Sequence, residues 1–98
     1  MMRRVQKTDH AEADIEQIGL WIARNADIEA ALKWFSDLDE KLRKLAQIPG
    51  TGTDQSHLCR GLRSSPFGNY LIFFQPMRGG IRVMRVIHGD RDYRRFFE

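Results

Sequence analysis

Apolar residues recur every three or four positions in two stretches of the first half of the chain, which predicts two amphipathic helices. In the first stretch, Asp9 and Glu12 have the spacing of a capping box, so we expect a helix to begin there. Gly19 falls on the apolar face, where the missing side chain leaves room for another element to approach closely. The apolar stripe of this helix consists of Ala11, Ile15, Ile18, Ile22 and Ala26.

The second stretch follows a short polar break. Asp27 is a residue type that caps helix N-termini, and Pro49 with Gly50 ends the periodic pattern after about Gln47. The apolar stripe of this helix consists of Ala31, Trp34, Phe35, Leu38, Leu42 and Leu45. Because so short a break separates the two amphipathic helices, we expect them to form an antiparallel hairpin.

The last third of the chain has the pattern of β-strands. The continuous apolar run at 70–74 is typical of a central strand covered on both faces, and residues 76–80 supply a turn into a strand at 81–88. Weaker patterns predict two short strands, at 3–7 and 60–65, and a loop rich in glycine and threonine at 49–57. The predicted fold class is α+β in the order β-α-α-β-β-β, with an antiparallel helical hairpin packed on a small, mostly antiparallel sheet.

One strand carries a charge where the pattern expects an apolar residue. Strict alternation over 81–88 places Arg85 on an apolar face. That face carries Ile81, Val83 and Ile87, and the opposite face carries Met84 and Val86. Since a charge on an apolar face needs a partner or a cleft, we expect Arg85 either to pair with a carboxylate such as Asp92 or to take part in a site. His88 is expected to be hydrogen-bonded at the end of the strand or to belong to the same site.

Length and composition exclude several classes of protein. A chain of 98 residues, 42% hydrophobic and 30% charged, predicts one globular domain spanning 1–98. No apolar run approaches the roughly 18–20 residues of a membrane span, and no apolar core of a signal peptide follows the basic start. Cys59 is the only cysteine, so no internal disulfide can form, and we expect no metal or cofactor. The predicted location is the cytoplasm.

The charge is unevenly distributed along the chain. Residues 1–59 carry 8 Lys and Arg against 10 Asp and Glu, whereas residues 60–98 carry 8 against 3, and all eight of these later cations are arginine. Arginine presents a planar fork that suits carboxylate or phosphate. The C-terminal part therefore either meets an anionic partner, nucleic acid or acidic protein, or is simply a solvated strand face.

Strings along nearly the whole chain resemble the ParE branch of the ParE/RelE toxin superfamily. They lie at 13–18, 21–23, 42–52, 61–64, 67–74 and 84–93, and the strongest is Gly61-Leu62-Arg63-Ser64 followed by 67–74. The resemblance implies a toxin of a type II toxin–antitoxin system, encoded beside an antitoxin that wraps it, ParD-like or of another kind. ParE-like toxins are associated with poisoning DNA gyrase, and RelE-like toxins with cutting mRNA on the ribosome.

The mRNA endonuclease is the alternative function. Metal-free RNA cleavage needs a general acid, a general base and cations for the phosphate. The resemblance to RelE-like nucleases implies a role for each of four residues. Arg63 and Arg85 hold the phosphate, His88 acts as general acid or base, and Tyr93 is a second proton donor. The resemblance to ParE-like chains implies instead that Arg85 and His88 are structural and leaves the role of Arg63 open, and we favour a toxin that is not an enzyme.

A gyrase inhibitor needs only an exposed binding surface. Aromatic residues and arginines are common interface anchors, so the candidate target-binding residues are Arg91, Tyr93, Arg94, Arg95 and Phe97. The alternative is that the aromatic residues close the core while the arginines are solvated.

The resemblance implies that the antitoxin lies on the helical hairpin and against the sheet. Leu20, Trp21 and Leu32 fall outside the main apolar stripes and are the candidate contacts, although isolated apolar residues on a surface are common. An acidic antitoxin segment would alternatively bind the basic C-terminal surface. A third possibility is a degenerate toxin that retains only its antitoxin complex. We expect neither a membrane nor a small-molecule substrate as a partner.

Overall fold

A helical hairpin lies on one face of a five-stranded mixed sheet in a computed structural model that describes residues 3–98. The elements in chain order are β1 (Arg4–Lys7), α1 (Asp9–Asn25), α2 (Ile28–Gln47), β2 (Thr53–Asp54), β3 (Arg63–Phe67), β4 (Tyr70–Met77), β5 (Gly80–His88) and a 3-10 helix (Tyr93–Phe97). The predicted α+β class and the hairpin on a sheet are confirmed. Within the described residues, no helix is both long and apolar enough to cross a bilayer.

The sheet has the strand order β1-β5-β4-β3-β2, so the first strand of the chain lies beside the last. β1 is parallel to β5, and all other neighbours are antiparallel. Several boundaries differ from the prediction, and one of them is that of β3, which spans Arg63–Phe67 instead of 60–65. The loop at 49–57 contains the two-residue strand β2, and β4 continues through Pro76 to Met77, so that the turn is shorter than 76–80.

The first helix begins one residue earlier than its sequence pattern indicates. Thr8 is the N-cap, and its hydroxyl Oγ1 accepts a hydrogen bond from the backbone N–H of Ala11 at 3.1 Å. The same hydroxyl donates to the carbonyl oxygen of Met84 at 2.9 Å. A hydroxyl both donates and accepts, whereas a carboxylate only accepts, and therefore Thr8 joins the helix to the sheet in a way that Asp9 cannot. The predicted cap Asp27 of α2 is confirmed by its bond from the N–H of Ala30 at 2.7 Å.

The main core lies between the hairpin and the sheet. Its buried residues are Ala11, Leu38, Leu42, Leu45, Ala46, Ile72, Phe74, Ile81, Val83 and Val86. Gly19 is buried where α1 meets α2, and a Cβ there would collide with the ring of Phe35. The predicted close approach at Gly19 is therefore confirmed.

A second, smaller cluster covers the opposite face of the sheet. Its buried residues are Leu62, Phe73 and Ile87. The partly buried side chains around it come from the 3-10 helix, from β4 and β5 and from the segment before β3. The 3-10 helix contributes Tyr93, Phe96 and Phe97.

A β-bulge in β5 corrects the predicted faces of that strand. Phe73 pairs with Arg85, but the next residue, Phe74, pairs with Val83, so Met84 is an extra residue on β5. One extra residue reverses the alternation beyond it. Val86 consequently faces the helices and Ile87 faces the other cluster, and the prediction that Ile87 shares a face with Ile81 and Val83 is wrong.

Candidate functional site

A groove of about 440 Å³ lies between α1 and the end of β5, beyond the point where β1 has ended. Its lining includes Gln17, Ile18 and Trp21 from α1, and Val86 and His88 from β5. Of the predicted site residues, the lining contains Trp21, Arg85, His88 and Arg91. Residues from all three predicted sites, for the nuclease reaction, the target and the antitoxin, therefore meet in one place.

An ion pair between Asp14 and Arg85 forms part of the groove lining. Arg85 donates two hydrogen bonds to Asp14, from Nε at 2.7 Å and from Nη2 at 2.8 Å. The two side chains are only 17% and 14% exposed. Asp14 also accepts the backbone N–H of Val86 at 3.0 Å, so one carboxylate holds both the cation and the edge of β5. The pairing expected for Arg85 is confirmed, but Asp92 as its partner is wrong, since Asp92 is exposed on the last segment.

Arg85 also contacts the C-terminal 3-10 helix. Its guanidinium carbon lies 4.5 Å from the centre of the Phe96 ring, and that of Arg91 lies 5.0 Å from the same ring. Such cation–π contacts are favourable when a guanidinium lies within about 6 Å of a ring centre. The contacts run from Asp14 through Arg85 and Phe96 to Arg91, and thereby hold the C-terminal segment against the groove.

His88 is the last residue of β5, and its side chain accepts a hydrogen bond from the backbone just after the strand. Its Nδ1 accepts the backbone N–H of Asp90 at 3.1 Å, and its ring packs edge-on against Tyr70 at 5.3 Å between centres. Burial raises the pKa of the Tyr70 phenol above its ordinary value of 10.0. The strand-end hydrogen bond expected for His88 is present, and the same side chain lines the groove.

The four candidate nuclease residues do not converge on one centre. Arg63 is tied to the preceding loop, where it donates to the carbonyl oxygens of Thr51 at 2.8 Å and Gly52 at 2.9 Å. It pairs with Phe74, four positions along β4 from the residue that pairs with His88. At about 3.3 Å per residue this places Arg63 roughly 13 Å along the sheet from His88.

Tyr93 lies on yet another surface. Its ring packs 5.2 Å from that of Phe73, within the cluster on the face away from the helices. Only Arg85 and His88 of the proposed nuclease set therefore share the groove, and Arg85 is already engaged by a carboxylate.

The predicted target-binding residues divide into two groups. Phe97 packs 5.0 Å from Phe73 and joins Tyr93 in anchoring the 3-10 helix to the sheet. The arginines of this segment, Arg91, Arg94 and Arg95, are exposed, and no carboxylate forms an ion pair with them among the described residues. Residues 91–97, called here the arginine segment, thus combine aromatic side chains that are packed on the sheet with arginines that form no ion pair among the described residues.

The predicted antitoxin contacts lie near the turn that joins α1 to α2. Leu20 is 48% exposed, Trp21 60% and Leu32 59%. Ile28, at 63% exposure, belongs with them and was missed because its spacing from Ala31 fits the apolar stripe. Ile28 is exposed because it is the first residue of α2, ahead of the part that meets α1. Trp21 alone of the four also lines the groove.

Several groove residues were absent from the prediction, although one had a visible signal. Asp14 stands three residues after Ala11 and four before Ile18, which is a stripe position of α1. A carboxylate on one apolar face and an arginine on another indicate a pair, and that combination would have identified Asp14. Gln17, Asn69 and Tyr70 carry no comparable signal.

Comparison with known proteins reveals similarity to toxins along almost the whole chain. The family model described as ParE toxin of type II toxin-antitoxin system, parDE, matches residues 5–93. The curated Toxin ParE1 of Caulobacter vibrioides is 26% identical over 95 residues, which are 95% of this chain and 96% of that protein. A solved structure, described as the chromosomal ParDE TA system from P. aeruginosa, matches with a TM-score of 0.72 at 22% identity. It covers 89% of this chain and 96% of that one, and its likeness concerns the fold.

Proposed function

We propose a mode of action from one premise: the chain belongs to the ParE toxin family of type II toxin–antitoxin systems. Toxins of this family pair with a ParD antitoxin. The proposal is that this toxin acts in the cytoplasm by binding DNA gyrase, without catalysing a reaction itself. A ParD-type antitoxin neutralises it by covering the surface that binds.

The arginine segment is the observation that supports a binding mode. Arg91, Arg94 and Arg95 are exposed and free of carboxylates within the described part of the chain, while Tyr93 and Phe97 fix the segment on Phe73. Arginines held on a preorganised base lose little entropy when they bind an anionic surface. Gyrase with its bound DNA offers such surfaces.

The dispersal of the nuclease candidates favours the same conclusion. General acid–base catalysis requires side chains within about 3 Å of the reacting atoms or linked by one water. Arg63 lies at the far end of the sheet from His88, and Tyr93 is packed on the face away from the helices. A conformational change that joined them would have to break the core around Phe73.

The first test is a gyrase supercoiling assay with the purified, antitoxin-free chain. We expect loss of supercoiling with accumulation of cleaved DNA, and recovery when antitoxin is added. No effect at a large excess of folded protein would contradict the gyrase target. In that case, cleavage of mRNA on translating ribosomes would be the function to assay.

A charge-reversal triple variant locates the surface. We expect Arg91→Glu, Arg94→Glu and Arg95→Glu together to abolish inhibition, because three attractive contacts become repulsive. The matched control reverses Arg24, Lys33 and Arg43, which are exposed on the helical layer and give the same change of net charge. Equal loss in both variants would show that total charge, rather than the arginine segment, governs inhibition.

A further inference from the structure

Polar and basic side chains line the face of the sheet away from the helices, beyond the second, smaller cluster. Ile81 and Val83 are buried against the helices, so Arg82, which stands between them on β5, points to the opposite face. Gln6 of β1 and Gln75 of β4 flank Arg82 in the register of the sheet. Side chains paired across neighbouring strands share a face, and these three therefore form a row across three strands.

Two further arginines extend this row. Gln75 donates from Nε2 to the backbone carbonyl of Arg60 at 2.7 Å, which places Arg60 at one end of the row. Arg4 stands two residues before Gln6 and shares its face, because Val5 between them packs against the helical core. All three arginines are exposed, and within residues 3–98 no carboxylate forms an ion pair with them. The surface, called here the open face, consists of Arg4, Gln6, Arg60, Gln75 and Arg82.

The arginine segment lies on the same side of the molecule. Tyr93 and Phe97 pack on Phe73 in the cluster away from the helices, and Ile87 of β5 belongs to that cluster. Ile87 is five residues along β5 from Arg82, so the open face and the arginine segment lie roughly 15 Å apart at about 3.3 Å per residue. The two groups of arginines can therefore contact one extended partner.

The charges of the chain separate by layer. The two helices with their caps, residues 8–48, carry 5 Lys and Arg against 9 Asp and Glu. Residues 3–7 and 49–98, which form the sheet, its loops and the last segment, carry 11 against 4. The layers thus have net charges of opposite sign, and a polyanion attracts the sheet side while it repels the helical side.

The composition of the open face fits nucleic acid better than protein. Protein interfaces rely on apolar and aromatic anchors, whereas protein–DNA interfaces are more polar and strongly positive. The large apolar side chains that are exposed in the described part of the chain lie on the helices or at their ends: Leu20, Trp21, Ile28, Leu32 and Ile48. The open face offers arginines and glutamines instead.

The same surroundings favour a duplex over a single strand. Proteins that bind single strands stack the bases on accessible aromatic rings. The open face has no aromatic residue, Tyr93 and Phe97 are packed on Phe73, and the half-buried Phe96 lies beneath the guanidinium of Arg85. Arginine forks without a stacking surface suit the phosphate oxygens of a duplex backbone.

We infer that the open face, together with the arginine segment, binds the phosphate backbone of duplex DNA. The binding is independent of base sequence, because phosphate contacts carry no information about the bases. The role of this contact in toxin action rests on the proposed function, in which the duplex is the one that gyrase holds. The toxin then contacts the DNA of the gyrase complex directly.

The test measures binding of the full, antitoxin-free chain to a short labelled duplex by fluorescence anisotropy over a range of salt concentrations. We expect the logarithm of the affinity to fall with the logarithm of the salt concentration, by about 0.9 for each phosphate neutralised. Arg60→Gln with Arg82→Gln should reduce this slope by about 2 and weaken binding at low salt at least about tenfold.

Two matched variants separate position from charge. Arg24→Gln with Arg43→Gln gives the same net charge but changes the exposed helical layer, and should weaken binding less than about threefold. Arg60→Lys with Arg82→Lys keeps the charges of the open face and should keep the salt slope. Thermal unfolding followed by circular dichroism checks that each variant is folded.

The outcomes separate this inference from the proposed function. Equal losses in the open-face and helical glutamine variants, or no binding of the duplex at low salt, overturn the DNA surface and leave the supercoiling assay to decide the target. A selective loss in the open-face variant, with no effect of the unaltered chain on gyrase, supports the DNA surface and contradicts the gyrase target. A single strand or a polyglutamate peptide that binds more tightly than the duplex overturns duplex DNA as the partner.

Discussion

The two faces of the sheet differ in how completely they are covered. On the helical side, residues from both helices and from β4 and β5 form a continuous buried core. On the other side, buried residues are few, and a 3-10 helix with half-buried aromatics provides much of the cover. The helical side therefore carries most of the stability, and the thinly covered side can carry exposed arginines at small cost to the fold.

The largest effect should come from truncating the helical core. Leu42 is 1% exposed, so Leu42→Ala is expected to lower the free energy of unfolding by about 3–5 kcal/mol. Phe97→Ala on the other side removes a larger but half-buried side chain and should cost about 1–2 kcal/mol. Urea unfolding followed by tryptophan fluorescence measures both. A larger loss for Phe97→Ala would contradict the difference between the faces.

The Asp14–Arg85 pair joins the two sides, and breaking it should rank next. Asp14→Asn leaves Arg85 largely buried without its counter-charge, and we expect a loss of about 2–4 kcal/mol. The matched control is Asp37→Asn, whose partner Lys33 is 77% exposed; that loss should stay below about 0.5 kcal/mol. Equal values would mean that the buried pair contributes no more than a surface one.

The close contact within the hairpin should have a smaller effect. In Gly19→Ala, the gain in helix propensity partly offsets the collision with the Phe35 ring, leaving a net loss of about 0.5–2 kcal/mol. Adding Phe35→Leu shortens the obstructing side chain and should restore most of the stability. Gly50→Ala, with open space around its Cβ, is the neutral control. A gain in stability from Gly19→Ala alone would show that the ring moves freely.

The smallest effect is a shift in the titration of Tyr70. In a Tyr93→Phe variant, Tyr70 is the only tyrosine, and its absorbance change should have a midpoint above pH 10 in the folded chain. Because folding raises this pKa, the free energy of unfolding should fall as the pH rises above 10 through the folded-state pKa. The same variant in urea gives the reference midpoint, and identical midpoints would contradict the burial of this phenol.

Periodicity predicted the helical side of the molecule much better than the other side. Both helices, the cap at Asp27 and the close approach at Gly19 follow from residue spacing alone. The bulge at Met84 does not, because one inserted residue leaves no mark in an apolar strand and yet reverses every face beyond it. The role of Thr8 depends on the Met84 carbonyl, 76 residues away in the sequence, which no local pattern contains.

The sequence predicted the chemical roles of the site residues better than it predicted which of them lie close together. Arg85 was recognised as needing a partner, but the choice between Asp14 and Asp92 depends on where α1 crosses β5, which is a property of the tertiary structure. Trp21 and Arg91 were assigned to separate partners from their positions in the sequence. The fold brings both to one groove, a convergence that only the packing of the helix on the sheet edge creates.

The pairing of the first strand with the last has a consequence for the timing of synthesis. β1 leaves the ribosome early, yet its neighbour β5 and the residues after it are made at the end of the chain. At about 5–20 residues per second, β1 waits roughly 4–15 seconds for that neighbour. The groove and the arginine segment are completed within the same final stretch. The surface that we propose to bind gyrase is therefore absent from the nascent chain until residues 91–97 have been made.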